Sequence, residues 1–185
     1  HTDDIMVNLV TKTYEKDHMQ VFKKAIMSAF PQISTLINSI TSRLSDVAVG
    51  ETEVFLHGPG SIKDRLGESE FEISASSFFQ TNTRQAEVLY AEALKGTDLK
   101  GGEVVYDLYC GTGTIALFLA KQAKKVYGFE LIASSVKNAR RNAKAQGFDN
   151  VDFILGDLKD VLSQNIDRIE PADGIVVNPP RAGLH

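Results

Sequence analysis

At 185 residues with 43% hydrophobic side chains, the chain carries enough apolar material for one large domain or two small ones, each with a buried core. A single cysteine, Cys110, excludes an internal disulfide framework and any cysteine-cluster metal site within the segment. A net charge of −4 and a pI near 5.6 speak against a nucleic-acid partner unless a basic face is local, and the absence of a bilayer-length apolar run or signal peptide makes a cytoplasmic, membrane-free protein the expectation.

In chain order, Ile5 to Thr11 alternates and is rich in Val, Leu and Ile, which reads as a strand. Met19, Phe22, Ile26 and Ala29 recur at helical spacing from Lys16 to Phe30, and Pro31 stops the helix. Ile33 to Ile40, Glu53 to His57 and Phe71 to Ser74 read as further strands, the second ended by Gly58-Pro59-Gly60. Together they make a small α+β module over residues 1–77. His18 and His57 lack the partner spacing of a metal site and read as ordinary solvated histidines. Next comes Ser76-Ser77-Phe78-Phe79-Gln80-Thr81-Asn82. Two adjacent phenylalanines will not both face water, so the local pattern reads as an aromatic plug, with Asn82 capping a helix from Thr83 to Lys95.

The segment from residue 78 to 185 has a different rhythm. Val104-Val105-Tyr106-Asp107-Leu108 is a β-branched run suited to a strand covered on both faces, and it ends in Tyr109-Cys110-Gly111-Thr112-Gly113. The glycines permit a sharp turn close to a ligand, and Thr114 is placed to cap a helix running to Ala123. Lys125 to Glu130, Val151 to Leu155 and Gly174 to Val177 are further strands, and Ala133 to Gln146 is a helix stopped by Gly147. Lys137, Arg140, Arg141 and Lys144 on that helix are most simply a solvated face, an RNA contact being the weaker alternative. Strands alternating with helices in this way imply a Rossmann-like, doubly wound parallel sheet. Ligands of such sheets lie outside the carboxyl ends of the strands, where Tyr109, Glu130, Asp157 and Asn178 fall.

Glu130, at the end of the second strand, can accept both hydroxyl protons of a ribose. Because Gly111-x-Gly113-x-x-Ala116 also satisfies a dinucleotide fingerprint, an NAD-dependent oxidoreductase is a rival reading. Asp107 favours S-adenosyl-L-methionine instead, since a carboxylate suits the ligand's ammonium group and is a poor neighbour for a pyrophosphate. Asn178-Pro179-Pro180 points the same way, because the prolines end the strand and stiffen a loop that can aim an amide into the pocket.

Phe78-Phe79-Gln80-Thr81-Asn82, Asp107 to Gly113, Gly128-Phe129-Glu130, Gly156-Asp157 and Asn178-Pro179-Pro180-Arg181-Ala182-Gly183 come in the order found in the RNA 5-methyluridine methyltransferases, which this chain resembles. The resemblance is specific from Phe71 to His185 and looser before it, where the chain looks like that family's central module. It implies a class I methyltransferase domain, incomplete at its C-terminal end, that binds S-adenosyl-L-methionine and modifies RNA. It implies that Gln80 contacts the cofactor, against the plug reading, and that Tyr109, Thr114, Glu130, Asp157 and Asn178 are further contacts. Glu130 would then serve the ribose, Asp157 the adenine amino group, and the Gly111 to Gly113 amides with the following helix start the methionine carboxylate.

The resemblance also implies a covalent reaction, in which a cysteine thiolate adds to uracil carbon 6 and a base later removes the carbon 5 proton. Both groups are expected downstream of this segment, so that the chain alone is expected to be inactive. Cys110, inside the glycine turn, reads as a small packed thiol rather than that nucleophile. Ribosomal RNA is favoured over transfer RNA as the substrate, and a monomer over an oligomer. Thr114 stands where some members have Asn, and Asn178 where many have Asp. The second departure keeps an amino-group N-methyltransferase as an alternative, and a noncatalytic RNA-binding module is the alternative from another class.

Overall fold

Two separate sheets, each with a parallel strand pair joined by a helix, organise the chain. In the computed structural model, residues 2–42, 52–165 and 168–179 are described, and they divide into a unit of His1–Asp64 with Glu72–Ser76 and a unit of Arg65–Phe71 with Ser77–His185.

In the first unit β1 (Met6–Thr11) runs parallel to β2 (Thr35–Ile40), and β3 (Thr52–His57) pairs antiparallel on the other side of β2. The connection between the parallel strands is α1 (Lys16–Ala29), which ends just before Phe30 and Pro31. Met19 of α1 joins Ile33, Leu36 and Leu56 in a buried cluster, with Val7, Leu9, Phe22 and Ile26 packed around it. Met19, Phe22 and Ile26 of the apolar spacing read from the sequence therefore face this sheet, while Ala29 at the helix end is exposed. His18 and His57 are both exposed.

β4 (Ser61–Leu66) and β5 (Ser69–Ser74) form a two-stranded sheet, and the turn between them uses Gly67 at φ +60°. The sequence reading found β5 and missed β4. Ser-Ile-Lys-Asp-Arg-Leu lacks the β-branched and aromatic content that marks a strand, and pairing with β5 overrides that weak propensity.

The second unit contains α2 (Thr83–Thr97) and then a four-stranded sheet made by β6 (Val104–Leu108), β7 (Lys125–Glu130), β8 (Val151–Leu155) and β9 (Gly174–Val177). The order across the sheet is β8-β7-β6-β9, and every pair is parallel. α3 (Thr114–Ala120), α4 (Ala133–Ala145) and α5 (Leu158–Asn165) are the crossovers. Val104, Tyr106, Tyr127 and Phe129 pack with Val161, Leu158 and Leu162 of α5 on one side of the sheet. Val105, Val126 and Phe153 alternate to the other side, where the Phe153 ring closes against the backbone of Gly128 and Gly113 and the methyl of Ala139 lies beside Gly113. The sheet is thus wound on both faces.

α3 is shorter than expected, ending at Ala120 rather than Ala123. The Asn150 side chain donates to the carbonyl oxygens of Ala120 at 2.9 Å and Ala123 at 3.0 Å, satisfying acceptors that another turn would have used. α5 was not anticipated. Asp157 starts it, with its carboxylate accepting the Lys159 N–H at 3.0 Å and its carbonyl accepting that of Val161 at 2.8 Å. Among the described residues no helix is long and apolar enough to cross a membrane.

Candidate functional site

The strand order reverses at β6, since successive crossovers step outward to β7 and β8 before the chain returns to β9 on the opposite side. Such a reversal opens a crevice at the carboxyl ends of the strands. Leu108 is in register with Phe129 and with Val177, and Glu130 with Leu155. Gly156-Asp157, Glu130, Tyr109 and Asn178 therefore lie in that order along a single edge, and the Asn178 N–H lies 3.5 Å from the Leu108 carbonyl. Pro180 to Gly183, the rest of that motif, lie outside the described residues.

The turn after β6 is left-handed at three of its residues: Tyr109 at φ +65°, Gly111 at +56° and Gly113 at +81°. A tyrosine in this region carries local strain, a feature no sequence pattern announced. Gly113 is needed twice over, because a Cβ there would come within 2.7 Å of Phe153 and 3.1 Å of Ala139. At Gly111 an added Cβ would make only ordinary van der Waals contact, the nearest atom being the Phe78 carbonyl oxygen at 3.7 Å. The connector bearing Phe78 thus runs alongside the turn.

Two of the turn's amides have partners within the fold. Gly111 N–H donates to Glu130 Oε2 at 2.9 Å and Gly113 N–H to the Cys110 carbonyl at 2.8 Å. Glu130 Oε1 also accepts the Ile132 N–H at 2.8 Å. Of the groups expected to hold a carboxylate, the Gly111 and Gly113 amides are thus paired within the fold, the first of them with the carboxylate of the neighbouring strand end. Each Glu130 oxygen retains a second lone-pair direction for a hydroxyl donor.

Below the turn the chemistry is acidic. Asp107 is fully buried, and neither carboxylate oxygen has a hydrogen-bond partner. Burial pushes its carboxyl up to about 8; the Ala116 backbone N–H pulls the other way without forming a bond of ordinary geometry, and the Glu130 charge adds to the rise. Cys110 is buried, and desolvation, then the charges of Asp107 and Glu130, hold its thiol well above the ordinary range. Such a thiol is a packing group.

Thr114 does not cap α3 with its side chain. It is the first helical residue after Gly113, and its hydroxyl is 3.2 Å from the Tyr90 hydroxyl, whose ring also meets Phe118 edge-on at 5.5 Å. Burial raises the Tyr90 phenol's pKa. In the connector, Phe78 is 67% exposed while Phe79 packs on Phe71 at 6.0 Å, so one ring is covered and the other is not. Asn82 caps α2 as expected, accepting the Gln85 N–H at 3.1 Å. Gln80, two residues earlier, is half-buried.

Sequence reasoning missed two buried asparagines on α4. Asn138 donates to Ser77 Oγ at 2.9 Å and Asn142 to the Thr112 carbonyl at 3.2 Å, so one helix fastens both the connector and the glycine turn. Their spacing of four residues within an otherwise small and basic helix was the available signal. Among the described residues no cluster of His, Cys, Asp and Glu could hold a metal ion.

Residues 99–179 match the family model of a methyltransferase domain. An uncharacterized RNA methyltransferase of Chlorobaculum tepidum is 44% identical over 99% of this chain and 38% of its own length, and one of Clostridium tetani is 41% identical over 98% and 40%. A crystal structure of the Pyrococcus abyssi tRNA (uracil-54, C5)-methyltransferase in complex with S-adenosyl-L-homocysteine is 32% identical, with a TM-score of 0.69 over 97% of this chain and 41% of that one. The chain spans about 40% of the length of these relatives. Its parallel sheet and crossovers are those of the class I methyltransferases.

Proposed function

Since residues 99–179 carry a methyltransferase domain and almost the whole chain is similar to RNA methyltransferases, we propose that this segment binds S-adenosyl-L-methionine for methyl transfer to carbon 5 of uracil in RNA. One observation carries the cofactor reading. Asp107 is a buried carboxyl with no partner, beside Glu130 and beneath the glycine turn. A ligand with an α-ammonium group and a sulfonium centre gives that carboxyl a cationic partner and draws it towards its ionised form, which a pyrophosphate does not. The nicotinamide alternative is disfavoured on the same ground.

When bound, the cofactor supplies a methyl group made electrophilic by the positive sulfur. The chain's residues orient it. Glu130, already fixed by the Gly111 and Ile132 amides, accepts ribose hydroxyls through its remaining lone pairs. Asp157, held by the Lys159 N–H through one oxygen, offers the other to an adenine amino group. Gln80 approaches from the connector, Tyr109 and Asn178 from the two strands beside the crevice. Thr114, with Tyr90 behind it, fixes the helix start.

The uracil carbon 5 specificity draws on the similarity to the Pyrococcus abyssi enzyme over nearly all of this chain. Cys110 is not the nucleophile in this reading, because burial and two nearby carboxylates keep its thiol protonated. The attacking thiolate and the base then belong to residues outside this segment, and the segment alone turns nothing over.

Calorimetry of the chain with S-adenosylhomocysteine is the direct test, with binding expected and NAD inert. Glu130→Gln should weaken binding about tenfold through a lost charge-assisted bond. Binding of NAD in place of S-adenosylhomocysteine overturns the reading. On a chain of the relatives' full length, digestion of RNA methylated in vitro should release 5-methyluridine from ribosomal transcripts; N-methylated adenine or guanine would support the alternative chemistry.

A further inference from the structure

The molecule is acidic overall, yet α4 and the residues after it, from Ala133 to Phe148, contain no Asp or Glu. Lys137, Arg140, Arg141 and Lys144 are all exposed there and recur at helical spacing, so they form one stripe. The stripe is about 10 Å long at 1.5 Å per residue, which matches roughly three phosphates of a stacked strand at 3.4 Å each. It borders a concavity of about 300 Å³ whose accessible apolar lining includes Ala133 and Leu155. Leu155 is 48% exposed and presents its side chain to the concavity. Arg140 is already immobilised by donating to the Phe153 carbonyl at 2.7 Å, so less entropy is lost when it meets a ligand.

The position of this concavity gives it meaning. Leu155 is the register partner of Glu130, and Ala133 at its rim is three residues beyond Glu130. The basic stripe therefore begins beside the strand pair that bears the candidate site. We infer that the α4–β8 concavity is a phosphate-binding track for single-stranded RNA, with the stripe neutralising the backbone and the Ala133–Leu155 lining receiving the apolar face of a sugar or base. This deepens the RNA reading of the proposed function and rests on it. Phosphate contacts of this kind position a strand without reading its sequence.

The test uses the chain itself and a fluorescein-labelled 12-nucleotide single-stranded RNA, followed by anisotropy from 50 to 300 mM salt. Lys137→Gln with Lys144→Gln should weaken binding about tenfold and flatten the log–log salt slope by about 1.4, two contacts at roughly 0.7 each. Lys95→Gln with Lys100→Gln removes the same charge from exposed lysines of the same unit that are paired with Glu92 and Asp98, and should change neither quantity. S-adenosylhomocysteine affinity, measured in parallel, should be the same in all three proteins, showing that the fold is intact. Equal RNA binding and slope in the Lys137/Lys144 variant overturns the inference. So does a parent that binds S-adenosylhomocysteine but no RNA, or one that binds poly-glutamate of equal charge as tightly as RNA. A parent that binds RNA through the stripe but not S-adenosylhomocysteine would sink the cofactor reading and leave the track standing.

Discussion

Both units bury a polar side chain in a central strand, and they treat it in opposite ways. Asn38 in β2 is fully buried and donates through its amide to the Leu9 carbonyl at 2.8 Å and to Thr11 Oγ1 at 2.9 Å, leaving only its own oxygen unpaired. Next to it Ser39 donates to Asn8 at 2.8 Å, so β1 and β2 are stitched by side chains as well as by their ladder. Asp107 in β6 is buried as deeply and has both oxygens unpaired, with its carboxyl pushed up to about 8. Asn38 is thus tied into the fold by two donated bonds, whereas Asp107 is buried with both of its oxygens unpartnered, an arrangement that costs stability and calls for a reason of its own.

Glycine offers the sharpest way to break that contrast, because Gly113 belongs to the architectural side. Gly113→Ala adds a Cβ into Phe153 and Ala139 at a left-handed residue, for which we expect a loss of about 3 kcal/mol or more in urea unfolding followed by circular dichroism. Gly111→Ala meets no clash and should cost only the backbone term, about 1–2 kcal/mol. Equal losses would show that Phe153 yields and that both glycines serve the turn alone.

The paired test of the two buried groups comes next in size. Asn38→Ala strands the Thr11 hydroxyl and the Leu9 carbonyl and should destabilise the first unit by about 2 kcal/mol, with S-adenosylhomocysteine affinity untouched. Asp107→Asn should do the reverse, lowering that affinity about tenfold without lowering the melting temperature. Its pH dependence follows from direction. In the folded chain the Asp107 carboxyl keeps its proton up to about 8, whereas an unfolded aspartate loses it near 4, so the parent loses stability as pH rises through that interval. The Asn variant should lack this loss in thermal melts from pH 4 to 9. Proton release on binding at pH 7, read by calorimetry in buffers of different ionisation heat, should also vanish in the variant.

The same contrast explains what could be read from residues alone. Strands and glycines around Asp107 were legible because each is a local signal: a β-branched run, a left-handed turn that favours glycine, a carboxylate closing the next strand. The row from Asp157 through Glu130 and Tyr109 to Asn178 then followed from parallel topology. Pairing was not legible. That Glu130 occupies the Gly111 amide, that Asn138 and Asn142 fasten Ser77 and Thr112, and that Asn150 ends α3 are contacts between residues 19 to 61 positions apart, for which one sequence carries no spacing rule. β4 and α5 were missed because pairing with β5 and the Asp157 cap outweigh their poor local patterns.

The smallest effect separates the two roles within five residues of connector. Asn82 is paired, accepting the Gln85 N–H at 3.1 Å, and its removal leaves the first turn of α2 with one more unsatisfied donor. Asn82→Ala should therefore cost about 1 kcal/mol, and Asn82→Asp should recover most of it, since a carboxylate caps as well and faces the positive helix end. Gln80→Ala should leave the unfolding midpoint in place and weaken S-adenosylhomocysteine binding instead. If Gln80→Ala destabilises the chain as much as Asn82→Ala while affinity stays constant, the connector is an aromatic-flanked brace and its glutamine belongs with Asn38, among the groups the fold keeps for itself.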